Sequence, residues 1–411
     1  MKQLSVRQAA TAPSKLDLKI IVPLSLAASL GAINSLATSP LLPVMAAGVG
    51  TSVAAIGQTV TALLVMAAIS GLVIGPLADT FGQRRSMVLG LLVSAASALG
   101  TAVAPTYPLL MASRLVGGIG AAVTFGVPMG VAGASFSGDA RRRAVSLVSA
   151  SIAMTSIAGV PIVTLLESVA GWRGAFAILS SGMLATGLLV NRLLPPDAGD
   201  DKRSTLSLRD IGRAYIPLLA NRRMIALFGA TALFAGGWLG SVTYMGAFLI
   251  ATYDLSVPLA GVAYMIGGAG FFLGNLLGGG RIGAFGLARV CGVSVTLLAL
   301  GWATFYSVGG SYGWIAALAI LAPVGVAGGV GIVCLNTLVA TETPAGPSTT
   351  MVLRGSVFSL GAALGALLGG GALALFGYAA LAVAMPPFLF ASAVWVWRAG
   401  RHVVDDVNPR G

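Results

Sequence analysis

Arg114, Glu167 and Asp254 stand within or at the ends of long apolar stretches, where the chemistry open to them is charge pairing and proton exchange. A guanidinium beside a carboxylate favours its ionised form, and a solute that parts the two raises the carboxylate's affinity for a proton. Bond-making chemistry finds no comparable support. The one histidine, His402, lies in the C-terminal tail, so no histidine relay crosses the apolar interior. The two cysteines, Cys291 and Cys334, sit in apolar runs without disulfide or metal-ligand spacing and read as small buried hydrophobes. The sequence carries no nucleophile–base set, nucleotide loop or metal motif. An enzyme is therefore excluded, and neither cofactor nor metal is implied.

The elements that hold these residues must be membrane spans. Only 9% of the 411 residues are charged and 57% are hydrophobic, against about 25% charged in a soluble domain. So few charges cannot cover a water-exposed surface of this size. Hydrocarbon roughly 30 Å thick needs about 20 apolar residues per helical span. Backbone amides must pair inside lipid, and the alternating ten-residue segments of a barrel are absent, so the spans are helices. Twelve are predicted, over 20–42, 56–77, 86–104, 108–132, 145–166, 174–194, 224–250, 258–280, 288–308, 312–337, 350–374 and 377–398. The first apolar stretch, reaching about residue 45, exceeds the h-region of about 7–15 residues in a signal peptide and reads as a retained span.

The net charge of +12 is not a nucleic-acid footprint, because the basic residues fall in every second loop. Lys2, Arg7, Lys15 and Lys19 precede the first span, and Arg84 and Arg85 follow the second. Arg141, Arg142 and Arg143 follow the fourth, a group from Arg192 to Arg223 follows the sixth, and Arg281 and Arg289 follow the eighth. Arg398, Arg401 and Arg410 end the chain, and only Arg114 and Arg173 break the pattern. Positive loops stay in the cytoplasm. Both termini are thus expected there, in a bacterial inner membrane.

Pro195 to Arg223 is the only long polar segment and reads as a cytoplasmic linker, with a short interfacial helix over 206–220. It separates an N-terminal six-helix bundle, 1–194, from a C-terminal one, 224–411. The halves are related. An offset of 204 places Phe81-Gly82 on Phe285-Gly286, and one of 206 places Gly171 on Gly377 and Trp172 on Tyr378. Glycines at four-residue spacing, Gly361/Gly365/Gly369 in span eleven above all, allow close helix contact in lipid. That stripe is expected to face a helix that slides or rocks.

Three segments carry mechanism. The stretch after span two reads Gly75-Pro76-Leu77-Ala78-Asp79-Thr80-Phe81-Gly82-Gln83-Arg84-Arg85. It resembles the loop signature of the major facilitator superfamily, which latches the cytoplasmic side in the outward-open state. The resemblance implies a gating role for Gly75, Asp79, Gly82, Arg84 and Arg85, with Asp79 capping the positive end of span eleven. The equivalent of Asp79 in the second half is Gly283, so that copy has lost its acid. Span four holds Ala112-Ser113-Arg114-Leu115-Val116-Gly117-Gly118-Ile119-Gly120, similar to the Arg-plus-glycine motif of drug:proton antiporters, with Val116 in place of the usual Gln. Span five and its exit run from Gly159-Val160-Pro161 to Glu167 and on to Gly171-Trp172-Arg173, resembling the antiporter motif of the arabinose-efflux group. Fewer glycines surround Pro161 than in that group, and Glu167 intrudes.

None of the twelve acids lies at the middle of a predicted span. A desolvated organic cation needs a counter-charge there, so neutral or weakly anionic solutes fit better. Asn34, Trp238, Tyr244 and Asn275 are the candidate cavity residues. The expectation is an all-α membrane protein of the major facilitator fold: a monomeric, proton-coupled exporter of small neutral or weakly anionic compounds, drugs or sugars, with Arg114 tuning Glu167 and Asp254 in reserve. The rivals are a symporter or facilitator importing a metabolite, and a non-transporting membrane sensor.

Overall fold

The computed structural model describes residues 16–195, 208–278, 286–307, 313–341, 343–344 and 347–407, and every regular element among them is helical. The chain opens with α1 (Leu18–Leu36), capped where the Asp17 carboxylate accepts from the Lys19 amide at 2.9 Å, and continues after a break at Ala37 as α2 (Thr38–Val49). The predicted first span is therefore two segments. Pro40 and Pro43 lack the amide hydrogens that would knit them into one ladder. Then come α3 (Val53–Phe81), α4 (Gln83–Val103), α5 (Tyr107–Ser135) and α6 (Gly138–Met154). A π-turn, Thr155–Gly159, leads into α7 (Val160–Leu193).

In the second half, α8 (Leu208–Ala220) precedes α9 (Arg222–Tyr253), α10 (Val257–Gly278), α11 (Leu287–Ser307) and α12 (Trp314–Thr341). Helix α13 (Pro347–Phe376), a short turn, α14 (Leu381–Ala384) and α15 (Pro386–Val407) complete it. The interfacial helix expected in the linker is α8, and its Tyr215 hydroxyl donates to the Leu72 carbonyl at 3.1 Å.

Eleven helical stretches among the described residues are long and apolar enough to cross a membrane, and one, Asp139–Leu193, is 55 residues long. Straight, it would reach about 80 Å, far beyond the hydrocarbon. It turns back at Gly171, whose φ of 68° and ψ of 169° leave the helical region. Arg173 at the turn bonds the Ala104 carbonyl at the end of α4, while Arg84 at the start of α4 bonds Asn191. The segment past Gly171 thus runs antiparallel to α4, and counting two spans here gives twelve. Outward side chains such as Leu188, 62% exposed, and Leu297, 56% exposed, stay apolar, as a lipid-facing surface requires.

The repeat is visible in the backbone. Gly82 and Gly286 have φ of 96° and 88°, and Gly171 and Gly377 have φ of 68° and 75°. Each pair sits at one of the two sequence offsets and makes a reversal that a side chain would strain. One segment differs from expectation. The signature stretch after span two is helical to Phe81, so only Gly82 interrupts the chain between α3 and α4. The environment of Gly75 and the side chain of Asp79 lie outside the described residues, as do Gly283 and Glu342.

The most extensive contacts between the halves among the described residues are three pairings. Helix α3 packs along α13, α2 against α9, and α10 against the π-turn and α7. The glycine stripe of α13 does not face the opposing half. A Cβ at Gly361 would meet the Ala232 carbonyl, and one at Gly365 the Gly236 carbonyl, both on α9 of the same half.

Candidate functional site

Two close approaches set α1 in place beside α5 and α7. A Cβ on Gly31 would collide with Thr124 of α5, and one on Gly159 would lie 2.7 Å from Cγ1 of Ile33. Glycines there bring the neighbouring backbones against α1 on either side of Asn34. The π-turn that presents Gly159 has a local cause. Pro161 has no amide hydrogen to offer the carbonyl four residues back, and such a gap is accommodated by a wider π-turn.

Into this contact α5 inserts Arg114, 1% exposed. Its Nη1 donates to the Asn34 carbonyl at 3.1 Å and to Asn34 Oδ1 at 3.2 Å. The guanidinium carbon lies 4.8 Å from the ring centroid of Phe176 on α7. Ala37 donates to Ile33, closing α1, and the adjoining break exposes the Asn34 carbonyl to a side-chain donor. Arg114 Nε and Nη2 are buried and have no partner among the described residues. Insertion scales put a central guanidinium at about 2.5–3.5 kcal/mol. Asn34 and Phe176 offset part of that cost, and no carboxylate among the described residues does.

The expected Arg114–Glu167 pair is not formed. Arg114 is held by Asn34 and Phe176, and Phe176 belongs to the part of α7 beyond the Gly171 reversal. Glu167 precedes that reversal, half-buried, and bonds to no described residue. Asp254 caps α9 in the left-handed conformation, φ 54° and ψ 36°, and is exposed. The structure therefore does not bring the three coupling candidates together.

The cavity candidates separate as well. Asn34 belongs to the Arg114 contact. Tyr244 is fully buried, its hydroxyl donating to the Ala366 carbonyl at 2.7 Å across the α9–α13 contact. Trp238 packs against Gly328 of α12, and the next residue, Gly329, abuts the Asn275 backbone on α10. Trp238 lies tilted against Phe271 at 5.1 Å and meets Trp302 edge-on at 6.2 Å. The Asn275 amide donates to the Phe271 carbonyl at 2.7 Å. Of the gating candidates, Gly82 makes the turn and Arg84 Nη2 donates to the carbonyl and Oδ1 of Asn191, the latter at 2.9 Å. Arg85 is exposed beside it.

Sequence reading missed Phe176, Thr38 and Trp302. Phe176 lies three residues past Arg173, and an aromatic there carries no sign of which cation it covers. Thr38 follows the α1 break, buried, with its hydroxyl unpartnered among the described residues. Trp302 is likewise buried with Nε1 unpartnered.

Comparison with known proteins agrees with this architecture. The family profile described as Major Facilitator Superfamily matches residues 24–352. The chain is 25% identical over 357 residues to "Inner membrane transport protein YdhP" of Escherichia coli O157:H7, covering 86% of this chain and 89% of that protein. It is 27% identical over 263 residues to a "Chloramphenicol resistance protein" of Streptomyces lividans, covering 64% and 66%. A solved D-xylose-proton symporter superposes with a TM-score of 0.73 at 17% identity, over 93% of this chain and 97% of the other.

Proposed function

Because this chain belongs to the Major Facilitator Superfamily and is a membrane transporter, we propose that it is a proton-coupled exporter of small neutral or weakly anionic compounds working by alternating access. The observation that carries the substrate class is Arg114, a buried cation answered by an amide and a ring rather than by an acid. An organic cation beside it would meet repulsion with no counter-charge. Relatives named for chloramphenicol resistance support the outward direction, since removing a compound from the cell confers resistance to it.

In this reading, 1–194 and 224–411 are the moving bodies, joined by 195–223. Asp79, with Gly75, Gly82, Arg84 and Arg85, latches the cytoplasmic side. Trp238 and Asn275 line the solute path in the second half. Glu167 carries the proton, because it is half-buried in the apolar run of α7, and Asp254 is the reserve. Arg114 acts on Glu167 only through a rearrangement within 1–194, as the two are unpaired in this conformation. The chain works as a monomer in the bacterial inner membrane with both termini cytoplasmic.

The test is reconstitution into vesicles with a pH-sensitive dye inside. Adding a transported compound changes the internal pH, and Glu167→Gln abolishes the change while leaving substrate exchange intact. An unchanged signal in Glu167→Gln gives the proton to another group, and no signal from wild type with any transported compound removes proton coupling. Uptake by inverted membrane vesicles, driven by acid inside, separates export from import.

A further inference from the structure

The unused edge of Arg114 has a shape that names a ligand. A guanidinium offers five N–H groups in a plane, and Nε with Nη2 forms the fork that takes both oxygens of one carboxylate. Here Nη1 is spent on Asn34, one face of the guanidinium plane is covered by Phe176, and it is Nε and Nη2 that remain buried without partners among the described residues. Beside the fork's neighbour Asn34, four residues on, stands Thr38. That spacing puts both on one face across the α1–α2 break, where Ala37 keeps helical dihedrals of −56° and −31°. The Thr38 hydroxyl is also buried and unpartnered among the described residues.

Each buried orphan donor costs about 1–3 kcal/mol, more when it is charged. No described acid bonds to Arg114, so no described residue relieves that cost. We propose that the Arg114 fork and the Thr38 hydroxyl form a binding site for the carboxylate of a small organic acid. The site deepens the transport reading, on which it rests for a route by which solute reaches Arg114. That route follows from α2. Beyond the break α2 packs on α9, where a Cβ at Gly246 would lie 2.9 Å from Cα of Pro40. Parting α2 from α9 moves the segment that carries Thr38 and uncovers the fork.

The purified full-length protein, in phosphate-free detergent solution at constant ionic strength, is heated with butyrate, benzoate or phenylacetate. Matched samples contain the corresponding amides, sodium chloride or sodium sulfate. At least one acid is expected to raise the unfolding temperature while its amide and the inorganic salts do not. Arg114→Lys keeps the charge but loses the fork, and weakens that acid by about tenfold or more. Thr38→Val keeps the shape and weakens it by about threefold to tenfold, a reading that survives if Arg114 variants fail to fold.

The site is overturned if no acid exceeds its amide, if chloride or sulfate stabilises equally, or if Thr38→Val binds like wild type. Failure of the transport reading looks different. Acid binding by a protein that moves nothing across vesicles removes transport and keeps the site. Proton-coupled movement of neutral compounds with no preference for acids over amides removes the site and keeps transport.

Discussion

Nη1 of Arg114 holds both oxygens of Asn34, the carbonyl at 3.1 Å and the side chain at 3.2 Å, so α5 grips α1 at the point where α1 ends. A charge buried in a span is thereby used to fix the geometry of a helix break. Just past that break, α2 is the part of the first span that touches the opposing half through α9. Position and contact together make this grip a natural place to perturb.

Asn34→Asp puts a carboxylate on the guanidinium already bonded to residue 34. Charge-assisted hydrogen bonds are roughly twice as strong as neutral ones, so the purified variant should unfold at a higher temperature. Transport should fall, because the grip no longer releases and the cation is neutralised. A stabilised variant with wild-type flux would show that α1 and α2 need not move at this point.

Gly268 faces the π-turn across the two halves. A Cβ there would stand 2.7 Å from Cβ of Ser156 and 3.2 Å from its carbonyl carbon. Gly268→Ala is expected to slow turnover several-fold with substrate affinity little changed, since it obstructs the sliding surface and not the solute. Gly126→Ala, with no atom within 4 Å of the added methyl, is the matched control. Equal rates in the two variants would remove the π-turn contact from the transport cycle.

Gly365 has a different task, close packing within one half. Its added methyl would strike the Gly236 carbonyl, backbone that cannot rotate aside. Overpacking of this kind costs about 1–3 kcal/mol, so Gly365→Ala should lower the unfolding temperature. Gly371→Ala meets nothing within 4 Å and should not. A thermal melt of the two variants decides whether the α13 stripe is structural glue.

At the latch, Asp79→Asn should insert and fold normally yet slow transport, because a neutral amide holds a helix terminus and arginine less tightly. Gly283→Asp should change flux far less. Wild-type flux in Asp79→Asn would leave the segment as a topology signal and a helix end.

Orientation follows from the basic loops. A reporter active only in the cytoplasm should work when fused after Gly411 or within 198–205, and should fail near Pro105 or Ser311. Activity at both latter sites would undo the two-bundle arrangement.

What the sequence determined by itself is what depends on local composition. Hydrocarbon sets the length of each apolar run, and a reversal that requires positive φ selects glycine. The spans, the linker helix and the equivalence of Gly82 with Gly286 and Gly171 with Gly377 were therefore legible before any coordinates. The break at Ala37 was signalled by Pro40 and Pro43, although prolines alone do not say whether a helix bends or stops. Tertiary structure decided which faces meet. Arg114 went to Asn34 and Phe176 instead of Glu167, and the α13 stripe went to α9, because partner choice depends on how helices far apart in sequence are rotated and tilted against one another. In lipid all apolar faces are nearly equivalent to the solvent, so hydropathy does not mark the inward side, and small residues and buried polar groups set it through contacts that only the assembled bundle creates.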